Sequence, residues 1–590
     1  MTVPSLIIKF TNKNERFKYH SKTKSLDIQY KGFFDNPGIF KNNENILFIF
    51  GNPIVKNEIN ISKTANLIFN QIDSCANLNG QFLIINFNIK SETLKIINDR
   101  FSSLPLYYTK MSSSFFASFS YLELLSCMEI EKKKIKLNGN VLFEFLLFQR
   151  VLHDKTYDNL TRFLSPANIL KFENNEITQT QYWSQNFNEK SINLFHVGEE
   201  LHYLLKRNIS ILKKKFKKIA LFLSGGHDSR TILSFLDNDQ FETQTVSFSE
   251  NYELNSARKL SRLMNIKNNF IKINENHFHD NLDEMIETTS GYYSVINCLF
   301  NGLPKKGIEK FDALIHGHGL DYMFHGMYLP NENINFFGRP TFFKKNKIIP
   351  EENIAEYFIN NVKFRLTDIN LFSFLNEKEK KRKKEFLIES INSVLFSNKN
   401  LEKSIDKWNY LITHCLSRHY SYPNNLGLMT YSNQFVLTFE NDIFDLFLST
   451  PNKLKVYGKI LDYVTKKNCY KLSMVPTANY GIPPGLSPFS KTAWLIGRKL
   501  LRGITGIHSL RAPHAIDRTW PDQSEYIHNN KNMRTLVEKS LKSEKLRDNL
   551  NYFDWKKIDK EYLVFKQKKN HKMGKFLFSL LTIERFLEKI

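Results

Sequence analysis

The sequence predicts an α+β N-terminal domain of sheet layers, then an α/β domain on a parallel, doubly wound sheet, and a helical C-terminal part. Three observations lead there. Up to about Tyr182 the chain is a series of short β-branched or aromatic runs, parted by Asn, Gly, Ser or Pro. From Leu194 onward, apolar strand-like runs alternate with segments of helical period. A glycine pair closes the first of those runs and opens a helix. The boundaries read from these changes are 1–190, 191–505 and 506–590.

In chain order, Ile46–Phe50, Gln81–Phe87, Thr93–Ile97, Leu106–Tyr108 and Phe115–Phe119 have the residue types of strands. Branched and aromatic side chains fit a pleated, half-buried surface. Helices are expected over Thr64–Ile72 and Val141–Val151. Leu201, Leu204, Leu205, Ile209 and Leu212 then recur at helical spacing. Ile219-Ala220-Leu221-Phe222-Leu223 is a compact apolar strand. The alternation continues with a helix over about Ser229–Leu236, a strand Thr243–Phe248, a helix Leu254–Met264, and strands Phe270–Ile273 and Ala313–Ile315. After Leu371 helices and loops are expected, and after Pro521 a polar, Lys-rich helical stretch.

Composition excludes several classes. Of 590 residues 42% are hydrophobic and 24% charged, values of a packed chain, and 23 Gly with 17 Pro are too few for collagen or linker. No apolar run approaches the roughly 18 residues of a membrane span. Val141–Phe148 comes nearest and carries Glu144. Met1–Lys9 has no basic region followed by a long apolar core, so no secretory signal is read. Cys75, Cys127, Cys298, Cys415 and Cys469 form no CxxC pair, which points away from zinc and disulfides and towards a cytoplasmic protein. Against 59 Asp and Glu stand 83 Lys and Arg, a net charge of +24. Lysine runs such as Lys213–Lys218 fall in an amphipathic helical pattern and read as solvated faces, so no specific nucleic-acid partner is expected. The basic, apolar stretch Trp494–Leu501 makes membrane contact a minor possibility; a core or partner-facing helix is commoner.

The chemistry lies in Leu223-Ser224-Gly225-Gly226-His227-Asp228-Ser229-Arg230. Glycines let backbone approach a bound anion, and a helix N-terminus offers free N–H groups and a positive dipole end. Ser224 and Ser229 add hydroxyl donors. Asp228 would repel a phosphate unless Mg²⁺ bridged the two. The loop therefore predicts a nucleotide triphosphate with a metal, against the plainer reading of a capped Gly-Gly turn.

This string resembles the pyrophosphatase loop of the asparagine synthetase family, among the adenine-nucleotide α-hydrolases. Further stretches resemble that family in its order: Leu78-Asn79-Gly80-Gln81-Phe82, Asp99-Arg100-Phe101, Pro105–Tyr108, Asp154-Lys155-Thr156, Pro166, Tyr182-Trp183, Phe439–Asp442 and Ser449–Lys459. The resemblance implies a glutaminase-like (Ntn-hydrolase-like) first domain and an ATP-binding second one. It implies that Leu223, Ser224, Gly225, Gly226, Asp228, Ser229, Ser247 and Gly317 bind ATP. In His316-Gly317-His318-Gly319-Leu320-Asp321, Asp321 matches the family Asp that holds Mg²⁺, so Asp228 and Asp321 are the expected metal ligands.

Departures narrow the function. Glutamine-dependent members begin with a Cys nucleophile, where this chain has Thr2. Phe50-Gly51-Asn52-Pro53 stands where the family's Asn-Gly-Glu segment belongs. The first domain is therefore expected to lack glutaminase activity. His318 and Tyr322 replace two family glutamates, and His318 is the candidate catalytic base. His316, His318 and His325 have no carboxylate or Cys pattern that would complete a metal site. Lys471 is the only candidate for the family's catalytic Lys. The implied function is an ATP-dependent ligase: a small-molecule carboxylate becomes an acyl-AMP, and ammonia or another amine takes the acyl group. The alternatives are asparagine synthetase proper using ammonia, and a degenerate nucleotide-binding protein. A sulfur-transferring relative is disfavoured by the absence of a cysteine pair. Neither the acyl substrate nor the oligomeric state is selected.

Overall fold

A computed structural model describes residues 3–12, 16–130, 135–336, 339–478, 481–505, 522–568 and 571–590. Thr2 and the start of the 506–590 stretch lie outside them. Two antiparallel sheets build the N-terminal half. One runs Arg162–Phe163, Tyr107–Met111, Ser114–Ser118, Ser5–Asn12, Lys24–Lys31, Tyr19–His20. The other runs Glu176–Gln181, Asn168–Glu173, Thr93–Asn98, Asn79–Asn88, Asn45–Val55, Gly38–Lys41, with Glu58–Ile59 also on Asn45–Val55. Their inner faces share an aromatic core. Phe10 meets Phe87 and Phe172 edge-on, at 5.3 and 5.8 Å between ring centres. The helix Ile61–Asn70 covers the outer face of the second sheet through Ala65 and Ile68.

The expected strands are present. The first helix starts earlier than expected, at Ile61, because the Asn60 side chain accepts from the Lys63 amide and caps it. The second stops at Phe148, short of Val151, where Gln149 turns left-handed (φ 56°).

The second half carries a five-stranded, all-parallel sheet. Its order is Asn268–Lys272, Phe241–Ser247, Ile219–Phe222, Ala313–His316, Asn433–Phe435. The last strand falls where only helices and loops were expected; three residues, Asn-Gln-Phe, carry no period to read. Chain order reverses between Ile219–Phe222 and Ala313–His316, which pair with Phe222 opposite His316. Loops leaving the C-terminal ends of two such strands form the ligand crevice of open α/β sheets.

Helices Gln523–Asn529, Lys531–Leu541, Glu544–Asn549, Trp555–Gln567 and Gly574–Lys589 follow. The last is not the polar surface helix its lysines suggest. Phe576, Phe578, Leu581 and Phe586 are fully buried. Phe586 stacks on Tyr121 (5.8 Å, 11°) and meets Tyr157 edge-on at 5.2 Å. The helix Pro488–Thr505 turns Phe489, Trp494 and Ile496 to solvent, so the stretch Trp494–Leu501 is not a core helix. Among the described residues no helix is long and apolar enough to cross a membrane.

Candidate active site

The loop after Ile219–Phe222 is braced from within. Ser224 and Ser229 hydroxyls stand 3.0 Å apart, and the Gly226 amide donates to Ser224 Oγ at 3.1 Å. The Gly225 amide donates to the Glu253 carboxyl, whose acid burial pushes up to about 7. A Cβ on Gly225 would lie 3.0 Å from Ala478 Cβ and 3.1 Å from Ser256 Cβ. Leu223 is buried and bonded into the sheet, its amide donating to Gln244 O at 2.8 Å. Ser247 is also buried and its hydroxyl accepts from Asn251 at 2.9 Å.

Arg230, unremarked in the sequence, anchors the loop. It is fully buried and donates to Leu472 O (3.0 Å) and Gly225 O (3.3 Å). It ties the loop to the last turn of the helix Lys459–Ser473, its planar fork reaching both carbonyls at once.

The second loop presses directly on the first. Gly317 lies so close that a Cβ there would stand 2.6 Å from the Ser229 amide nitrogen. Asp228 and Asp321 come together half-buried. Burial, then the Asp321 charge, pushes Asp228 well up; burial raises Asp321 too. Two carboxyls drawn together out of water suit a hard divalent ion. Among the described residues no group of three or more His, Cys, Asp or Glu forms a cage. Such an ion would complete its shell with phosphate oxygens and water, the usual habit of Mg²⁺.

His318 lies inside the second loop, 7% exposed. Both ring nitrogens are engaged: Nε2 is 3.0 Å from Tyr322 Oη and Nδ1 is 3.3 Å from Ser421 Oγ. Gly319 has φ +97°, and a side chain there would strike Thr438 Oγ1 at 2.4 Å. His316 bonds Asn425 (2.5 Å), while His325 packs on His227 with ring centres 5.6 Å apart. His227 Nε2 stands 3.1 Å from Asp462 Oδ1. Lys471 is exposed. Lys344, Lys491 and Lys363 instead lie near enough to His325 to help burial and His227 hold its acid down to about 3. No local pattern marks these lysines, because three separate segments bring them together.

In the first half, Gly51-Asn52-Pro53 is strand, paired to Gly80–Phe82. Gly51 (φ +84°) and Gly80 (φ +83°) each sit against a carbonyl of the other strand, where a Cβ would come within 2.4 Å.

Residues 71–183 match the glutamine amidotransferase domain family, and residues 200–395 match asparagine synthase. No curated protein matches the chain significantly. Three solved structures are similar at low identity. One is the allosteric regulatory enzyme of purine biosynthesis (9% identity, 45% of this chain and 74% of that one, TM-score 0.21). Another is glutamine phosphoribosylpyrophosphate amidotransferase from B. subtilis (11%, 53% and 68%, TM-score 0.19). The third is NH3-dependent NAD synthetase from Campylobacter jejuni (14%, 36% and 100%, TM-score 0.17). Superpositions this partial carry no argument about the site.

Proposed function

The chain belongs to the asparagine synthetase family and has the domains of an ATP-dependent amidoligase; from that premise we propose that it adenylates a small-molecule carboxylate and passes the acyl group to ammonia or another amine. One observation carries the reading: Gly317 packs on Ser229, bringing Asp228 and Asp321 to one place at the strand-order reversal.

The substrate carboxylate attacks the α-phosphate of ATP, and pyrophosphate leaves. Ser224 and Ser229 hydroxyls, 3.0 Å apart, and the N-terminus of Asp228–Leu233 would face the phosphates. Leu223, Gly225, Gly226, Ser247 and Gly317 shape the nucleotide pocket. Asp228 and Asp321 would hold Mg²⁺, which neutralises the charge on departing pyrophosphate. Lys344 and Lys491 add positive charge on the His325 side of the site. The acyl-AMP is then attacked by the amine, with His318 as the interior proton acceptor. The first domain, which matches the glutamine amidotransferase family over residues 71–183, serves in this reading without glutaminase activity, because Thr2 stands where glutamine-dependent members carry their Cys nucleophile.

The test is AMP and pyrophosphate release from Mg-ATP across a panel of carboxylates and amines, with Asp228→Ala as control. Carboxylate-dependent AMP is expected from the wild type and none from the variant, and EDTA should abolish it. Equal turnover by Asp228→Ala would remove the assigned role. ATP binding without AMP would favour the degenerate nucleotide binder.

A further inference from the structure

Behind His318 a line of polar side chains runs through the protein interior. Tyr322 Oη is 3.0 Å from His318 Nε2, and His318 Nδ1 is 3.3 Å from Ser421 Oγ. Ser421 Oγ is 2.6 Å from His419 Nδ1, and His419 Nε2 is 2.8 Å from Tyr328 Oη. Tyr328 donates to Tyr420 Oη at 3.1 Å.

The direction of the line follows from its donors. The Ser421 amide also donates to His419 Nδ1 (3.4 Å), so that nitrogen is an acceptor and the ring carries its hydrogen on Nε2. Nε2–H donates to Tyr328, which donates to Tyr420. Ser421 Oγ–H donates to His419 and therefore accepts from His318 Nδ1–H. His318 Nε2 is left bare to accept from the Tyr322 hydroxyl. Every hydrogen in the line points away from Tyr322 and towards Tyr420. Burial holds both imidazoles neutral, helped by His316 and His419 around His318 and by Arg150 near His419. A ring so placed takes a proton on one nitrogen only as it yields one from the other.

We propose that Ser421 and His419 are positioning residues for amide formation: they hold His318 in its Nδ1–H tautomer and carry its Nδ1 proton onward through Tyr328 to Tyr420. The inference rests on the amidoligase reading. In that step the amine nitrogen bonds to the acyl carbon, the C–O bond to AMP breaks, and its electron pair leaves on the phosphate. The amine's N–H bond breaks and its proton passes to Tyr322 Oη. Tyr322 gives its own proton to His318 Nε2, each later link hands one forward, and half-buried Tyr420 releases the last to solvent. No imidazolium accumulates.

Two reactions separate the steps. Carboxylate-dependent exchange of labelled pyrophosphate into ATP reports adenylation; amide formation from ammonia or an alkylamine reports acyl transfer. The carboxylates are a panel of α-amino acids and sugar acids. Ser421→Ala should keep exchange within about 2-fold and lose amide formation by about 10²-fold, and Ser421→Thr should restore it. Mixed H2O/D2O should give a bowed rate profile for acyl transfer in the wild type and a straight one in Ser421→Ala. Unchanged amide formation, or equal loss of both reactions, overturns the relay. No exchange by the wild type with any carboxylate would count against the amidoligase reading itself. Nitrogen-15 spectra of histidine-labelled protein then decide the line separately. Nδ1–H on His318 and Nε2–H on His419 are expected, and the opposite tautomer of either overturns it.

Discussion

A methyl group at position 317 would stand 2.6 Å from the Ser229 amide nitrogen and 2.9 Å from Asp228 Cβ. Both neighbours belong to the backbone or first carbon of the loop after Ile219–Phe222, so neither yields cheaply. Gly317→Ala should therefore push the two acidic loops apart and lower AMP formation by about 10²-fold with the fold retained, read by turnover beside circular dichroism. Glu253 gives a pH prediction. Its folded acid is raised from 4.5 to about 7 by burial, opposed by the Gly225 amide. The folded chain thus keeps this proton longer than the unfolded one. The contribution to stability is full below pH 4.5 and lost as pH rises through 7. Glu253→Gln keeps an acceptor for Gly225 and removes the ionisation. Its melting temperature should match the wild type near pH 4.5 and exceed it at pH 8; a constant gap would show that burial leaves this acid at its ordinary value. At this scale the sequence was legible where spacing carries chemistry, as in Ser224–Ser229 and His316–Asp321. It was silent on Arg230's bond to Leu472 O and on Ser421 behind His318, because those partners lie more than 100 residues apart in the chain.

The helix Gly574–Lys589 is held by shape. Phe586 fills the space between Tyr121 and Tyr157, and Gly291 (φ +70°) lies against it so closely that a Cβ would approach 2.9 Å. Ser579 donates to Gln149 and Thr582 accepts the Val295 amide (3.0 and 3.1 Å). Phe586→Ala should cost about 3–5 kcal/mol, seen as an earlier urea midpoint. A loss below about 1 kcal/mol would mean that the helix docks elsewhere in solution. The sequence shows this element as helical. Its burial was not legible, because apolar residues surround the helix and no single stripe names the face that docks. The alternation around Ile219–Phe222 gave the parallel sheet correctly, since fully apolar strands between helices allow few other architectures.

Across the whole molecule, buried polar bonds join the two halves. Arg418, 3% exposed, donates to Lys155 O (2.8 Å) and His153 O (3.1 Å) and lies 4.1 Å from the Phe163 ring centre. Arg150 reaches back to Leu411 O and Ile412 O (3.2 and 3.3 Å). Tyr422 donates to Ser103 O at 2.5 Å, and the Val436 amide to Gln81 at 3.0 Å. Separating the halves would strand these groups without partners. Calorimetry should therefore show one cooperative transition; two resolved transitions would contradict the coupling. None of these bonds has a local signature, so the boundaries read from the sequence carry no trace of the seam between the halves.

The placement of Gly574–Lys589 has a consequence for biosynthesis. Translation delivers Tyr121 and Tyr157 to the cell more than 400 residues before Phe586. Until Gly574–Lys589 has left the ribosome, the nascent chain carries an open aromatic socket. The growing polypeptide must keep that socket from other hydrophobic surfaces while the intervening residues are made.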